Sequence, residues 1–408
     1  MKYFLTLLLP ILLSANLTYT SNYNKEVSIL ESFDIESSFL YDPIMNRMKN
    51  KNSDRYREKY FFTAMSKAYI FIPSIKSILT KYKVPQEFLY LAMAESNFSN
   101  VAYSKKRASG LWQFMPATGK MFGLKIDEYV DERRDLIKST EAAAKYLSSL
   151  HKRFGKWYLA AIAYNCGGGR LSRGIKQAGS DELSILLDEK KKYIPKESRY
   201  YIRKIVALAM IGNDEKFLLK HEYEHLLNRA NAYSISSIKI PGGESLKRVS
   251  GLIGIPLNEL QNLNRHLKYD FVPPYDKKYD IYIPYVKLSD FKQKYYETSI
   301  KQTYKIHIVK RGDNLSFIGK RYKVSYKVIM DFNKLKNTRL KLKQKLIIPI
   351  VNKKGNNVVD SQFYYLVKRG DTLESISKAY KVSILNLKLN NHLKSSLIKI
   401  GDRLKIYE

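Results

Sequence analysis

The stretch LAMAESNFSN, residues 91–100, places a single carboxylate inside an apolar helical pattern. A helix turns by about 100° per residue, so Phe88, Leu91 and Glu95 share one apolar stripe, which Phe98 extends. Removing an ionised carboxylate from water is costly unless the group is paired or protonated. Glu95 is therefore a salt-bridged residue, a protonated one or a catalytic acid, and the pattern leaves all three open.

The bulk composition indicates a folded chain of several domains with a strong positive charge. Its 408 residues are 45% hydrophobic and too numerous for one ordinary core. The 72 Lys and Arg residues exceed the 38 Asp and Glu residues and give a net charge of +34. Such a charge favours polyanions, namely nucleic acid, anionic lipid headgroups or an acidic polymer. Solvated lysines in a lysine-rich proteome explain the same composition equally well.

The amino terminus has the pattern of an export signal. Lys2 is followed by FLTLLLPILLSAN, an apolar run too short to span a bilayer and typical of a secretory signal peptide. We therefore expect residues 1–20 to be removed and the mature protein to lie in the periplasm. No cysteine follows the run, so we expect no lipid anchor there. The positive charge predicts only a peripheral attraction to anionic membrane surfaces, and export makes nucleic acid a poor partner.

Cys166 is the only cysteine in the sequence, so an intramolecular disulfide is excluded. We interpret Cys166 as a small packing residue. The sequence gives no reason to expect a cofactor.

The carboxyl-terminal part contains a repeated module. Residues 304–350 and 363–408 align without a gap at an offset of 58 residues, and a weaker copy lies at 238–286. In each copy an alternating strand pattern is followed by two short helical patterns and a second strand. The aspartates at 313 and 371 are predicted to be N-caps of the first helix of their copies.

These copies resemble LysM domains, small βααβ modules that bind N-acetylglucosamine-containing glycans. The resemblance rests on the V-x-x-G-D-x-L start and on an asparagine near the end of the second helix. It implies that six residues contact glycan: Gly312, Asp313, Asn333, Gly370, Asp371 and Asn391. The copy at 238–286 has Glu244 in place of the aspartate, which leaves its glycan binding open. The alternative is that such modules serve only as spacers or protein-binding units.

The amino-terminal part is mainly helical in pattern. Residues 21–64 predict an N-terminal helical segment, and residues 65–215 predict an α domain with loops rich in Gly, Pro and Ser. From residue 88 to residue 126 the only acidic residue is Glu95. Nearby motifs supply rings for stacking and amides for hydrogen bonding, as in a carbohydrate cleft with one acid: Trp112, Tyr164, Gln113 and Asn165. The alternative for Trp112 is a core residue.

Four motifs make residues 65–215 resemble a catalytic domain of the soluble-lytic-transglycosylase type, which has a lysozyme-like fold. The family's E-S pair falls at 95–96, its G-L-W-Q-x-M-P loop at 110–116, its A-Y-N-x-G loop at 163–167 and its E-T-R-x-Y segment, with Ser for Thr, at 197–201. The resemblance implies that Glu95 is the catalytic acid and base. It implies a cleft lined by Ser96, Gln113, Tyr164, Asn165 and Tyr201.

The chain departs from the family pattern A-Y-N-A-G-E-G at two positions. Cys166 replaces the second alanine, and Gly168 replaces the glutamate. Any substrate contact made by that glutamate is therefore absent here. The expected fold class remains a multidomain α+β chain, with a mainly α lysozyme-like catalytic domain followed by small βααβ LysM modules.

The resemblance predicts an enzyme that cleaves peptidoglycan with one carboxylate. Ordinary glycosidases use two carboxylates. In this family the C6 hydroxyl of N-acetylmuramic acid attacks its own C1, N-acetylglucosamine leaves, and a 1,6-anhydro ring forms. We therefore predict an exported lytic transglycosylase that its LysM modules hold on peptidoglycan glycan strands. A hydrolytic muramidase and a non-catalytic wall-binding scaffold stay open as alternatives.

A five-residue stretch with the spacing H-E-x-x-H is a competing signal for a zinc protease. His221, Glu222 and His225 fit the spacing. Glu224 puts a charge where such helices are usually apolar, and no third ligand follows at a family spacing. We therefore interpret the stretch as a solvated helix and predict no metal site.

Overall fold

The computed structural model describes most of the chain after the expected signal peptide. The described residues are 23–50, 58–127, 129–220, 222, 235–273, 276–295, 302–351, 363–367, 370–380, 384, 387–388, 391, 393 and 395–406. The predicted signal peptide lies outside these ranges. Of the residues His221, Glu222 and His225, only Glu222 lies inside them.

The chain divides into two compact units. The first comprises Met1–Ser236, Gln261–Lys268 and Tyr282–Leu288, and the second comprises Ser237–Leu260, Tyr269–Ile281 and Ser289–Glu408. The described helices of the first part of the chain are α1 (23–32), α2 (Pro43–Asn50), α3 (Thr63–Ala68), α4 (Ile72–Lys81), α5 (Leu89–Ser96), α6 (Pro116–Met121), α7 (Leu136–Phe154), α8 (Trp157–Cys166), α9 (Gly168–Ala178), α10 (Leu183–Leu186), α11 (Lys196–Gly212) and α12 (Glu215–Lys220). Short 3-10 helices lie at Ser37–Tyr41, Gln86–Phe88 and Glu132–Arg134, and a π-helical turn lies at Glu58–Phe62.

Local sequence explains the longest of these helices, α7. Its N-cap is Asp135, whose side chain accepts hydrogen bonds from the main-chain N–H groups of Ile137 and Lys138. It ends at Gly155, which has a φ of 79° and therefore adopts the left-handed conformation that glycine allows at a C-cap. Between these ends α7 buries small residues such as Ala143 and lies against α8.

The core of the first unit also includes the N-terminal segment. Leu30, Phe33 and Met45 are buried in the same cluster as Phe88 and Leu91. The expected boundary between residues 64 and 65 therefore does not separate two cores.

The first two repeated modules have the predicted strand, helix, helix, strand order, and the described residues of the third include both strands and the first helix. Their elements are β1 (Ile235–Pro241), α13 (Leu246–Ile253), α14 (Leu257–Leu263), β2 (Lys278–Pro284) and α15 (Leu288–Lys294) in the first copy, β3 (Gln302–Ile308), α16 (Leu315–Tyr322), α17 (Tyr326–Phe332) and β4 (Lys345–Val351) in the second, and β5 (Phe363–Leu366), α18 (Leu373–Tyr380) and β6 (Arg403–Ile406) in the third. A further 3-10 turn, Tyr285–Lys287, follows β2. The strands pair within each copy, β1 with β2, β3 with β4 and β5 with β6. The predicted architecture, a mainly α domain followed by small βααβ modules, is confirmed.

The predicted caps of the module helices are wrong by one residue. In α16 the N-cap is Asn314, whose side chain accepts from the Phe317 N–H. The carboxylate of Asp313 instead accepts from the Lys310 N–H at 2.7 Å and lies 2.8 Å from His307 Nε2. In the third copy, Thr372 accepts from the Ser375 N–H in the same way. The aspartate therefore closes the preceding turn, and the next residue caps the helix.

The recurring asparagines of the modules have a structural role. Asn333 Nδ2 donates to the carbonyls of Ile329 and Ile347, and its Oδ1 accepts from the Ile347 N–H. Asn391 donates in the same way to Leu387 and Lys405. Both amide hydrogens are thus used to tie the second helix to the second strand. These bonds give both asparagines a structural role, and their predicted contact with glycan stays a prediction.

The glycines of the repeated motif are required by the backbone. Gly312 has a φ of 89° and Gly370 has a φ of 86°, a region in which residues with a Cβ are strained. Their recurrence at the start of both modules reflects this turn. Among the residues that the structure describes, no helix has the length and apolar character needed to cross a membrane.

Candidate active site

Glu95 lies at the carboxyl-terminal end of α5. Phe88 and Leu91 are fully buried, as the apolar stripe predicted, and Glu95 itself is half-buried. The helix stops after Ser96 because Asn97 and Phe98 have φ values of 50° and 58°. Phe98 therefore packs into the core from the turn that follows α5, not from the helix itself. The Glu95 carboxylate lies at the end of the helix, where a substrate can approach it.

Tyr201 is the direct partner of the Glu95 carboxylate. Its hydroxyl donates to Glu95 Oε1 at 2.5 Å, and its ring is buried. Burial raises the pKa of the Glu95 carboxyl above its ordinary value. The hydrogen bond from Tyr201 and the charge of Lys204 lower this pKa, whereas the charge of Glu197 raises it further. The net result is a carboxyl group that holds its proton to higher pH than usual.

Two buried arginines on α11 fix the position of Tyr201. Arg199 donates to the Ile194 carbonyl at 2.7 Å and to Glu189 at 2.9 Å. Arg203 donates to both carboxylate oxygens of Asp42 and to Glu189 at 3.0 Å. Since Asp42 precedes α2, the N-terminal segment helps to hold the helix that presents Tyr201.

The loop at residues 107–116 is tied to the Glu95 region by side-chain contacts. The Ser96 hydroxyl lies 2.7 Å from the Leu111 carbonyl, and the Tyr164 hydroxyl donates to the Trp112 carbonyl at 2.7 Å. Gln113 adopts a φ of 47°, and its Nε2 donates to the Gly110 carbonyl at 2.8 Å. Ser96 and Tyr164 therefore hold this loop against α5 and α8, whereas the Gln113 side chain turns back onto the backbone of the loop.

The prediction that Trp112 stacks on a sugar is wrong. Its side chain is fully buried, and its indole N–H donates to the Thr140 hydroxyl on α7 at 3.0 Å. A ring with no exposed face cannot contact a substrate. Trp112 instead anchors the loop to α7, as the core alternative had it.

Asn165 lies on the other side of the site, next to α11. Its Oδ1 accepts from the buried hydroxyl of Ser198 at 2.7 Å. This contact links the A-Y-N-x-G motif, which lies at the end of α8 rather than in a loop, to the E-S-R-Y-Y segment at the start of α11. Burial raises the pKa of the neighbouring Cys166 thiol, which keeps it protonated, in agreement with a packing role.

Sequence reasoning missed two charged residues beside Glu95. Lys204 Nζ donates to the Ala94 carbonyl at 3.0 Å, at the end of α5. Glu197 is exposed and acts on Glu95 through its charge. Lys204 lies three residues after Tyr201 on the same helix, so helical periodicity could have placed it near the site. No signal in the sequence identifies the approach of α11 to α5.

Comparison with known proteins agrees with this arrangement. Residues 73–186 match the family model described as Transglycosylase SLT domain, and residues 307–349 and 365–406 match the LysM domain. Residues 234–300 match the model described as Lytic transglycosylase MltD, LysM-like domain. Membrane-bound lytic murein transglycosylase D of Escherichia coli strain K12 is 27% identical over 383 residues, which cover 90% of this chain and 82% of that protein. The SLT domain, the LysM domains and this similarity along most of the chain support an MltD-like lytic transglycosylase.

Two further similarities cover smaller shares of the chain. Peptidoglycan transglycosylase gp16 of Escherichia phage T7 is 36% identical over 132 residues, 31% of this chain and 10% of that protein. The solved structure of the 70-kDa soluble lytic transglycosylase SLT70 of Escherichia coli has a TM-score of 0.31 and 20% identity, and covers 44% of this chain and 32% of that one. The SLT match of this MltD-like lytic transglycosylase includes Glu95, Gln113 and Asn165 and stops before Tyr201.

Metal chemistry has no site in the part of the chain that the structure describes. No group of three or more His, Cys, Asp or Glu side chains is placed there to hold a metal ion.

Proposed function

We propose that this MltD-like lytic transglycosylase cleaves the β-1,4 bond between N-acetylmuramic acid and N-acetylglucosamine in peptidoglycan, with Glu95 as its acid and base. The observation that carries the proposal is the partly buried Glu95 carboxyl, which receives the Tyr201 hydroxyl within a Transglycosylase SLT domain. The family comparison supports the reaction class, and the contacts around Glu95 support the choice of residue.

The reaction needs one proton donor and an internal nucleophile. Protonated Glu95 donates its proton to the glycosidic oxygen as the bond to C1 breaks, so N-acetylglucosamine leaves with a free hydroxyl. The Glu95 carboxylate then accepts the proton of the C6 hydroxyl, whose oxygen forms the new bond to C1. Atoms balance without water, and the 1,6-anhydro ring forms from groups already close together.

The environment of Glu95 suits both steps. Burial favours the protonated form that the first step needs. The hydroxyl of Tyr201 stabilises the carboxylate that the second step uses, because a hydrogen bond to an ionised group favours that form. The two influences act on the Glu95 pKa in opposite directions, so one favours the acid of the first step and the other the base of the second.

The modules are proposed to hold the enzyme on its substrate. LysM domains at residues 307–349 and 365–406 bind glycan, so two weak sites in one chain raise the local concentration of glycan at the catalytic unit. The enzyme acts in the cell envelope, where peptidoglycan lies. We further propose that it is exported to the periplasm by residues 1–20 and gains peripheral attraction to anionic surfaces from its charge of +34.

Product analysis tests the proposed reaction. Purified enzyme is incubated with purified sacculi, and the soluble fragments are analysed by mass spectrometry. We expect fragments that end in 1,6-anhydro-N-acetylmuramic acid. Reducing ends, one water heavier, would identify a hydrolase. Sedimentation with sacculi without any release would identify a binding scaffold.

The hydrolytic alternative has one specific observation in its favour. A muramidase that uses water needs a second carboxylate, and Glu197 is near enough to influence the ionisation of Glu95. Glu197→Gln separates the two reactions. A transglycosylase keeps its turnover within a few-fold in this variant, whereas a hydrolase that depends on Glu197 loses it.

Tyr201→Phe is expected to change both the rate and its pH dependence. Removing the hydroxyl raises the pKa of Glu95 further, because the remaining burial is less opposed. Turnover requires protonated Glu95 and therefore falls at high pH. Because the variant has a higher Glu95 pKa, this alkaline limb of the pH profile moves to higher pH. The lost bond to a charged group lowers the rate by roughly tenfold to hundredfold. A pH profile of fragment release checks both effects, and an alkaline limb that stays or moves down would contradict the assignment.

A further inference from the structure

Two short segments from the carboxyl-terminal half of the chain belong to the first compact unit. Residues 261–268 and 282–288 fall within the range 234–300 of the LysM-like match, yet they group with residues 1–236. We call them the bracing segments. Their contacts converge on the 3-10 helix Glu132–Arg134, which lies beside the loop that carries Gln113.

The first bracing segment fixes the chain just before this 3-10 helix. The Asp131 N–H donates to the His266 carbonyl at 2.8 Å, and the Lys268 N–H donates to the Tyr129 carbonyl at 2.9 Å. Between them, Val130 and Leu267 form an antiparallel bridge. The segment before the helix is thus held in the manner of a short sheet.

The second bracing segment helps to fix the residue just after the 3-10 helix. The Tyr282 hydroxyl donates to Asp135 Oδ1 at 2.7 Å, and His266 Nδ1 lies 3.6 Å from Asp135 Oδ2. Asp135 and His266 are fully buried, and Tyr282 is nearly so. Asp135 ends the 3-10 helix and caps α7, so these contacts hold the junction of the two helices.

The 3-10 helix passes this constraint to the catalytic loop. Arg133 is fixed by Asp131 through two hydrogen bonds of 2.9 and 2.8 Å. Its Nη1 donates to the carbonyls of Arg107 and Phe114 at 2.6 and 3.0 Å. Arg134 donates to the Ser109 hydroxyl at 3.2 Å. Both ends of the loop are therefore hydrogen-bonded to Arg133 or Arg134. The bracing segments fix the residues on either side of these two arginines.

The loop in turn contacts the residue next to Glu95. The Ser96 hydroxyl lies 2.7 Å from the Leu111 carbonyl, at the middle of the loop. A continuous series of hydrogen bonds and covalent neighbours thus runs from Tyr282 and His266 to the end of α5.

We propose that the bracing segments position the catalytic loop, so that part of the LysM-like sequence acts in turnover rather than in glycan capture. Tyr282 and His266 are positioning residues that act through Asp135 and the 3-10 helix. The effect on turnover rests on the proposed function, whereas the effect on the loop does not. Catalytic groups must be held closely, since a displacement of about 1 Å can cost on the order of a hundredfold in rate.

The test uses the full chain with Tyr282→Phe, alone and with His266→Asn. The matched control is Tyr295→Phe, which removes a tyrosine hydroxyl bonded to the Glu244 carboxylate at 3.0 Å within the second unit. Three quantities are measured: kcat and KM on short soluble glycan fragments, sedimentation with sacculi, and amide hydrogen exchange across residues 107–116. Melting curves set a temperature at which every variant is folded.

We expect the double variant to lose kcat by about tenfold, with KM and sedimentation within about twofold of the wild type. Amide exchange at residues 107–116 should rise in this variant and stay unchanged in Tyr295→Phe. Loss of sedimentation with normal kcat would show that the segments serve glycan binding, and unchanged exchange would show that they do not brace the loop. If the wild type releases no fragments, the proposed function fails, and the exchange measurement still decides whether the brace exists.

Discussion

Glu95→Gln is expected to lower the release of soluble fragments from sacculi by about a thousandfold, within the range that general acid–base catalysis contributes. The glutamine amide has nearly the size of the carboxyl group. Its oxygen can still accept the hydrogen bond that the Tyr201 hydroxyl donates to Glu95 in the wild type. It has no proton of suitable acidity for the glycosidic oxygen and cannot accept one from the C6 hydroxyl. Both proposed steps are therefore lost while the fold is kept.

The control for this variant is Glu87→Gln. Glu87 is a half-buried glutamate in the 3-10 turn that leads into α5, so the control makes the same substitution at the other end of this helix. Its replacement should leave fragment release close to that of the wild type. Residual activity of Glu95→Gln above about a tenth of the wild type would remove Glu95 from the role of acid.

Glu95→Gln also has an expected effect on stability. Because the folded-state pKa of Glu95 is raised above its ordinary value of 4.5, the native state binds more protons than the unfolded state above that pH. Stability therefore falls as pH rises through the pKa values of the two states. Glu95→Gln removes this cost, so its melting temperature should exceed that of the wild type at neutral pH. The difference should vanish below pH 4.5.

The parts of the fold that follow from local pattern could be predicted from the sequence. The helices around Gly155 and the strand order of the repeats depend on caps, turns and periodicity, which neighbouring residues determine. The merging of residues 23–50 into the catalytic core could not be predicted, because it depends on Arg203 meeting Asp42, 161 positions away. An ion pair between residues so far apart cannot be recognised from the spacing of residues in the sequence.

For the catalytic site, the motifs predicted several residues that the structure brings together and one that it places in the core. Glu95, Tyr164 and Tyr201 lie together in the structure, whereas Trp112 lies in the core. An aromatic residue in a loop has the same sequence pattern whether its ring faces solvent or Thr140. The turn at Asn97 and Phe98 could not be predicted either. Phe98 continues the apolar period of α5 in the sequence, although its φ is positive in the structure.

Gly110→Ala is expected to give the largest loss of stability among single substitutions in the catalytic loop. Gly110 has a φ of 82°, and a Cβ at this position would lie 1.7 Å from the Arg133 carbonyl oxygen. Strain at positive φ costs roughly 1–3 kcal/mol, and overpacking against a fixed neighbour costs about as much again. The neighbour is backbone within the braced 3-10 helix and cannot move aside. We therefore expect about 3–5 kcal/mol of destabilisation, or roughly 10 °C in melting temperature.

Gly123→Ala separates the two contributions. Gly123 has a φ of 89°, but no atom lies within 4 Å of the place that a Cβ would occupy, so only the strain applies. Both tryptophans of the chain, Trp112 and Trp157, lie in the first unit, so tryptophan fluorescence follows the unfolding of that unit alone. Gly110→Ala should unfold at clearly lower urea concentration than Gly123→Ala. Equal midpoints for the two variants would mean that the Arg133 carbonyl yields, and the loop would then be less rigidly held than its contacts imply.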